Sequence, residues 1–178
     1  MIYLDYAAST PVDDQVLDTF YSVSKKYYAN PNSIHKFGVE TKNLIDNSTI
    51  DIANKLGVLK EEIIYTSGAS ESNNLVIKGI CERYKNRGKH ILISSLEHNS
   101  IVASATAMQE LGFEVEIIPV KKDGFIDIDA LKKMMRQDTI LVSICSVDSE
   151  LGLKQPIEEI GEFLKEYPNC YFHTDASQ

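Results

Sequence analysis

The sequence predicts a three-layer α/β fold, with a mostly parallel sheet and helices packed on both of its faces. Two observations lead to this prediction. Apolar, strand-like runs alternate along the chain with segments whose apolar residues recur at helical spacing. One run, residues 139–147, is apolar throughout, which is typical of a strand covered on both faces. The predicted strands are residues 62–66, 90–95, 113–120, 139–147 and 170–175.

Four helices are predicted between these strands, from the spacing of apolar residues and from residues that begin or end helices. Gly112 is expected to end one of them, and Pro156 occupies the first turn of another. The four predicted helices are residues 69–85, 99–111, 127–135 and 156–167.

The chain before the sheet differs, because its apolar spacing predicts helices only, at residues 10–28 and 34–56. These two helices are expected to pack outside the sheet or against a partner. The predicted domains are therefore an N-terminal helical segment, residues 1–60, and an α/β domain, residues 61–178.

Composition narrows the classes of function. The 178 residues carry a formal net charge of −8, which argues against a nucleic-acid-binding protein. Neither a membrane-spanning nor a secreted protein is expected, because no apolar run is long enough and Asp5 interrupts the N-terminal stretch. Widely spaced cysteines without a Cys-x-x-Cys pair predict a cytoplasmic protein with no metal site, in which the thiols are small buried hydrophobes: Cys81, Cys145 and Cys170.

The turn "TSGAS", residues 66–70, follows the first predicted strand and opens a helix. Gly68 lets the backbone approach a ligand, and the Ser70 hydroxyl and first-turn N–H groups can bind an anion, most often phosphate. The Gly-Lys-Ser/Thr ending of a nucleotide-binding loop is absent from this turn. Glu71 would repel a phosphate, so it is expected to point away. A plain strand–helix turn whose serines cap the helix is the alternative interpretation.

Other polar residues follow the later strands at the same edge of the sheet. His98 follows the second strand, and Asp175 and Gln178 follow the fifth. Taken singly, such a histidine can be an ordinary packed or surface side chain, and such an aspartate can cap the next helix. Together with the anion-binding turn, they suit a ligand with a phosphate at one end and a protonatable ring nitrogen at the other. Pyridoxal phosphate (PLP) is such a ligand.

Six motifs occur in order along the chain: "YLDYAASTP" (3–11), "NPNSIHKFG" (30–38), "TSGASESNN" (66–74), "LEHNS" (96–100), "DTILVSICSVDSELGLKQPI" (138–157) and "FHTDASQ" (172–178). Together they resemble the NifS/IscS-like cysteine desulfurases, which are PLP enzymes of the class V aminotransferase superfamily. The resemblance covers the whole chain. It implies an incomplete large domain of the type I fold of PLP-dependent transferases.

The resemblance also implies a role for each residue at the sheet edge. The backbone and hydroxyl around Ala69 and Ser70 would hold the cofactor phosphate, and Gln178 would hydrogen-bond the ring hydroxyl. His98 would stack on the pyridine ring and move protons as the catalytic residue. Asp175 would pair with the pyridine nitrogen and keep it protonated, so that the ring can absorb electrons.

Members of this family convert L-cysteine to L-alanine and pass its sulfur to an enzyme cysteine as a persulfide. The sulfur then reaches iron–sulfur cluster assembly or tRNA thiolation through an acceptor. Family members are homodimers, so a homodimer or another form of self-association is implied for this chain.

The sequence departs from the family pattern in two places. Ser149, at a cofactor-binding position, stands in "VDSE" where the family has Asn in a "VNNE"-like motif. The shorter side chain lacks an amide for the substrate or the ring hydroxyl. The Schiff-base lysine, in a Ser-x-His-Lys motif, the sulfur-accepting cysteine and the carboxylate-binding arginine of the family fall beyond Gln178. We therefore expect an N-terminal portion, truncated before the lysine, that is inactive alone and binds PLP weakly or not at all.

The resemblance further implies that two later strands insert between the first strand, residues 62–66, and the fourth, residues 139–147. Without them, a gap is expected that closes by direct pairing, by self-association or with a complementary chain. The alternative function, from a class other than enzymes, is therefore a non-catalytic split half or assembly module. A different class V enzyme, such as a selenocysteine lyase, is also open, whereas an unrelated α/β phosphate-binding domain is disfavoured by the ordered motifs.

Overall fold

The computed structural model describes residues 2–178 and divides the chain into two compact units, one ending at Tyr65 and the other running from Thr66 to Gln178. The first unit contains both of the helices predicted for it. They are α1 (Asp14–Lys26) and α2 (Lys36–Leu56), followed by a short 3₁₀ turn (Lys60–Glu62).

Local signals at the helix ends explain where α1 and α2 begin and end. The carboxylate of Asp13 accepts a hydrogen bond from the N–H of Gln15 at 2.8 Å, which fixes the start of α1. Gly57 follows α2 with a φ of 69°, the left-handed conformation in which glycine often ends a helix. No residue of α1 is buried in the described structure, whereas α2 buries four.

The strand predicted at residues 62–66 is wrong. Glu62 ends the 3₁₀ turn, and its carboxylate accepts a hydrogen bond from the N–H of Leu59 at 2.7 Å. Residues 63–66 belong to no helix or strand, and no strand in the described part of the chain pairs with them. A strand forms through its hydrogen-bonded neighbour, and the local run of β-branched and aromatic residues does not supply one.

The second unit contains a four-stranded sheet in which all pairs are parallel, in the order β2-β1-β3-β4. Helices connect the strands, so the predicted α/β class is confirmed. The strands are β1 (His90–Ser94), β2 (Glu114–Ile118), β3 (Thr139–Ser143) and β4 (Tyr171–His173), and the helices are α3 (Ala69–Tyr84), α4 (Asn99–Glu110), α5 (Ile128–Met134) and α6 (Ile157–Leu164).

The strand order corrects the expected position of the gap. Strand β3, which is the fourth of the predicted strands, pairs with β1 on one side and with β4 on the other. Within β3 and β4, Leu141 is in register with Tyr171 and Ser143 with His173. Because β3 has a neighbour on each side, no strand is missing beside it, and β4 forms the edge.

Apolar side chains fill both faces of the sheet, which confirms the three-layer arrangement. All five residues of β1 and of β3 are buried. On one face the core is formed mainly by α3, α4 and alternate strand residues: Ile77, Cys81, Ile91, Ile93, Ile101, Ala105, Met108 and Leu141. On the other face it is formed by α5, α6 and the intervening strand residues: Leu92, Ile118, Leu131, Val142, Ile160 and Leu164.

Candidate functional site

A cleft of about 420 Å³ opens beyond the carboxyl ends of β1, β3 and β4, within the usual range for small-molecule sites. Parallel strands end at one edge of the sheet, so residues distant in sequence meet there. The structure brings all of the predicted site residues into the lining of this one cleft: Ala69, Ser70, His98, Ser149, Asp175 and Gln178.

The start of α3 forms one wall of the cleft. Gly68 precedes the helix, and its carbonyl accepts hydrogen bonds from the N–H groups of Glu71 and Ser72. In the part of the chain that the structure describes, the N–H groups of Ala69 and Ser70 have no hydrogen-bond acceptor. A helix start with unused donors and an N-terminal partial positive charge suits an anion.

Glu71 does not point away from this wall, so that expectation is wrong. Its side chain folds back, and Oε2 accepts hydrogen bonds from both the N–H and the hydroxyl of Ser67, each at 2.6 Å. These two donors lower the pKa of Glu71, which therefore carries a negative charge at the rim of the cleft. The Ser67 hydroxyl is directed to Glu71, which leaves Ser70 as the serine of the turn available to a ligand.

Asp175 also lines the cleft, just beyond β4, and each of its carboxylate oxygens accepts hydrogen bonds. Oδ1 accepts from the Ser177 N–H at 3.0 Å and from its hydroxyl at 2.6 Å, and Oδ2 accepts from Nδ2 of Asn73 at 2.8 Å. Burial alone would raise the pKa of Asp175, but these bonds and nearby His173 outweigh it and lower the pKa. Asp175 is therefore an anion that can pair with a positive group.

His98 is a further residue of the cleft lining and serves as the N-cap of α4. Its Nδ1 accepts a hydrogen bond from the Ser100 N–H at 3.2 Å and is 2.9 Å from the Ser100 hydroxyl. A backbone N–H can only donate, so Nδ1 is the acceptor and the ring proton of neutral His98 is on Nε2. The side chain is exposed and lines the cleft.

Asn73 was not identified from the sequence, although it contacts two other residues of the site. Its side chain is 3% exposed, and the same Nδ2 that binds Asp175 also donates to the Ser100 hydroxyl at 3.0 Å. Asn73 shares the buried stripe of α3 with Ile77 and Cys81. The amide on this otherwise apolar helical stripe is the signal that could have marked Asn73 as buried, but it does not identify the partner.

Glu97, directly before His98, was also missed. Its Oε1 accepts hydrogen bonds from the Ser94 hydroxyl and the Cys145 N–H, both at 2.7 Å, so it ties the end of β1 to the end of β3. Burial raises the pKa of Glu97, although these two donors oppose the shift. Among the described residues, the buried Oε2 has no hydrogen-bond partner.

The loop after β3 completes the lining. Asp148 is buried, and its carboxylate accepts from the N–H groups of Glu150 and Leu151, which shapes the turn beside the exposed Ser149. Cys145 also lines the cleft, but burial raises the pKa of its thiol to about 12. A thiol that stays protonated is a poor nucleophile.

Two of the three cysteines confirm the expectation of small buried hydrophobes, since Cys81 and Cys145 are 0% and 5% exposed. Cys170 lies just before β4 and is only partly buried. Within residues 2–178, no three histidine, cysteine or acidic side chains gather as a metal site would require. The same residues contain no helix long and apolar enough to span a membrane.

The comparisons with known proteins agree on one family. The sequence matches the family described as Aminotransferase class-V over residues 2–178. The cysteine desulfurase IscS of Dictyoglomus turgidum is 44% identical over 177 residues, which are 99% of this chain and 45% of that protein.

Solved structures superpose on the same fold. A NifS-like protein matches with a TM-score of 0.95 and 33% identity, over 99% of this chain and 49% of that one. SspA, solved in complex with cysteine, matches with a TM-score of 0.92 and 38% identity, over 99% of this chain and 50% of its own. This chain thus spans about half the length of the relatives it matches. Because the family match runs through the described sequence and the fold superposes on that of a NifS-like protein, the chain belongs to the aminotransferase class-V family.

Proposed function

We propose that this chain forms the cofactor-binding part of a PLP-dependent cysteine desulfurase, which removes sulfur from L-cysteine. The observation that carries the proposal is the meeting of the six predicted residues in one cleft, which is lined by unused N–H donors and by an ionised carboxylate. The family and the names of the relatives support the same reaction class. SspA was solved with cysteine bound, which supports cysteine over selenocysteine as the substrate.

The residues of the cleft fit the charges of PLP. Its phosphate would accept hydrogen bonds from the N–H groups of Ala69 and Ser70 and from the Ser70 hydroxyl. The carboxylate of Asp175 would face the protonated pyridine nitrogen, and Gln178 and Ser149 would lie near the ring substituents. When bound, PLP supplies an electron sink for the carbanion formed at the substrate.

The protein side chains hold charge and protons at defined atoms of the site. Asp175 stays ionised because three hydrogen bonds satisfy its oxygens, so it can stabilise a positive charge on the ring nitrogen. His98 carries its proton on Nε2, because Nδ1 is held as an acceptor, and Nε2 is the atom from which a proton can move.

For the complete protein, we propose the assembly and pathway that the family resemblance implies. It acts as a homodimer and delivers sulfur to an acceptor protein for iron–sulfur clusters or tRNA thiolation. The protein operates in a reducing compartment such as the cytoplasm, where its three free thiols are stable. Relatives assigned to mitochondria are 40–45% identical to this chain and make the mitochondrial matrix the other candidate compartment.

Calorimetric titration with pyridoxamine phosphate tests the cleft, because this analogue carries the phosphate and ring without the aldehyde. We expect weak, saturable binding that is lost with pyridoxamine, which lacks the phosphate. No binding of either compound would overturn the proposal.

Borohydride treatment after mixing with PLP tests whether binding is non-covalent. No lysine is among the residues that line the cleft in the described structure, so no stoichiometric adduct is expected. A stable adduct at one lysine, such as Lys78 or Lys154, would contradict weak non-covalent binding.

A non-catalytic module that needs a complementary chain is the second candidate. It is favoured by the short edge strand β4, which offers its free side to a further strand. Adding the C-terminal half of the Dictyoglomus turgidum relative separates the two. Alanine release from L-cysteine would support the enzyme, whereas a stable complex that releases none would support the module.

A further inference from the structure

We propose that the buried Asn73 and its neighbour Ser100 form a hydrogen-bond relay that couples the carboxylate of Asp175 to the imidazole of His98. The relay would make the two a single unit, in which the charge on Asp175 sets how firmly His98 is held in its Nε2–H form. Its meaning for catalysis rests on the proposed function, but the coupling itself is a property of this chain.

The geometry of the relay is continuous from one end to the other. Nδ2 of Asn73 is 2.8 Å from Oδ2 of Asp175 and 3.0 Å from Oγ of Ser100. Oγ of Ser100 is in turn 2.9 Å from Nδ1 of His98. An amide NH₂ has two hydrogens, so one nitrogen can serve both acceptors at once.

The direction of each bond follows from which groups can donate. Ionised Asp175 can only accept, so Asn73 donates to it, and the second amide hydrogen is donated to the Ser100 oxygen. Ser100 then directs its own hydroxyl hydrogen to Nδ1 of His98. That nitrogen is already an acceptor for the Ser100 N–H, so every bond in the chain agrees on one tautomer.

Burial explains why these contacts can carry coupling. The Asn73 side chain is 3% exposed, so little water competes for its hydrogens. Hydrogen bonds polarise one another, and because Asn73 donates both hydrogens from one nitrogen, the charge on Asp175 changes the strength of the bond to Ser100 and thereby that of the Ser100 bond to His98. Asn73 and Ser100 are therefore positioning residues, which act on the ligand through Asp175 and His98.

The neighbouring residue supplies a matched control. Asn74 is the next residue of α3 and has the same side chain, but its Nδ2 donates to the carbonyl of Ser70 in its own helix at 2.8 Å. An Asn74→Ala variant removes an amide from the same helix without touching the relay.

Nitrogen-15 spectra of the histidine rings test the relay in the ligand-free chain. They would be recorded at a pH above the neutral range, where imidazoles are uncharged. In the wild type we expect the His98 proton on Nε2. Asp175→Asn should shift the His98 ring signals in the wild-type and Asn74→Ala backgrounds. In the Ser100→Ala background, that shift should fall to less than half, and Ser100→Thr should restore it.

The outcome that overturns the relay is a shift from Asp175→Asn that is equally large with and without the Ser100 hydroxyl, because it would show coupling through space alone. Ser100→Ala keeps the buried amide in place, so the test does not depend on an Asn73 variant that fails to fold. Failure of the proposed function is seen separately, as absent pyridoxamine phosphate binding in the wild type.

Discussion

Two histidines at opposite ends of β1 show how one side chain serves two purposes. His90 is the first residue of the strand and is 0% exposed, whereas His98 follows the strand and lines the cleft. In both rings Nδ1 is next to a hydroxyl that itself accepts an N–H hydrogen, that of Thr139 for His90 and that of Ser100 for His98. The Glu116 carboxylate can only accept from Nε2 of His90, and the Ser100 N–H can only donate to Nδ1 of His98, so both neutral rings carry the proton on Nε2.

The two rings differ in what Nε2 meets. For His90, Nε2 is 3.1 Å from a carboxylate oxygen of Glu116, and Arg136 gathers further acidic groups around it. For His98, the described residues offer Nε2 no hydrogen-bond partner. The ionisable groups around His90, at the amino end of β1, have their hydrogen bonds satisfied and act structurally. The group around His98 keeps unused hydrogen-bonding positions beside a cleft and can therefore contact a ligand. Both groups contain ionisable side chains, and they differ in whether the hydrogen-bonding positions of those side chains are all occupied.

Replacing each histidine by alanine should give the largest contrast. His90→Ala removes a buried ring and leaves Thr139 without its acceptor, so the free energy of unfolding should fall by about 3 kcal/mol. His98→Ala loses a helix cap at an exposed position and should cost about 1 kcal/mol. Urea denaturation of both variants measures the difference. Equal losses would contradict the division into a structural and a functional histidine.

Aspartates at the two ends extend the contrast to ligand binding. Asp175→Ala should weaken pyridoxamine phosphate binding about tenfold, because the ring nitrogen loses its charged partner. Asp138 pairs with Arg136 through two hydrogen bonds of 3.0 Å at the amino end, and Asp138→Ala should leave the affinity unchanged. Isothermal calorimetry on both variants decides this, and a similar loss from Asp138→Ala would mean that the cleft is not the binding site.

Acidification should destabilise the fold through its buried histidines. Burial lowers the pKa of both His90 and His173, so the unfolded chain binds protons more readily than the folded one. Stability present above about pH 6.5 should therefore fall as the pH drops toward 5, by at most about 1.4 kcal/mol per pH unit for each histidine.

Urea denaturation at successive pH values checks this slope. The lowered carboxylate pKa values of Asp138 and Glu114 act only at more acidic pH. The raised pKa of Glu97 opposes the histidines as the pH falls, so the comparison with a histidine variant is needed to isolate their contribution. A His90→Gln, His173→Gln double variant should flatten the curve. If the stability of that variant depended on pH as steeply as that of the wild type, the assignment of this dependence to His90 and His173 would be wrong.

Glu71 should have the smallest effect. Glu71→Gln keeps an acceptor for Ser67 but removes the negative charge beside the unused N–H groups of α3, so phosphate affinity should rise about threefold. Glu82→Gln, near the other end of the same helix, is the matched control and should change nothing. The affinity for inorganic phosphate is measured in both variants. An unchanged affinity in Glu71→Gln would show that the Glu71 charge does not affect an anion bound at the start of α3.

Local sequence patterns predict those features of this molecule that depend on residues near one another in the sequence. The apolar run of β3 indicated a strand covered on both faces, and its full burial agrees. The run at residues 62–66 is also rich in β-branched residues but lacks a hydrogen-bonded partner strand, and strand pairing depends on residues distant in the chain. Residues that follow the strands, such as His98 and Asp175, could be assigned to one edge because parallel strands share their direction.

The remaining site contacts could not be predicted, because they depend on side-chain directions and on distant partners. Glu71 turns back because the Ser67 N–H and hydroxyl offer it two donors, which the residue order alone does not reveal. Asn73 reads as one polar residue of an amphipathic helix. Its partner Asp175 is 102 residues further along the chain, beyond any local pattern.

The contacts of Asn73 also imply an order of events during synthesis. Ser100 lies 27 residues after Asn73, and Asp175 lies 102 residues after it. A nascent chain emerges from its N-terminus, so the two helices that carry Asn73 and Ser100 can dock early. Of these three residues Asp175 is synthesised last, so α3 and α4 can pack against each other before the carboxylate reaches Asn73.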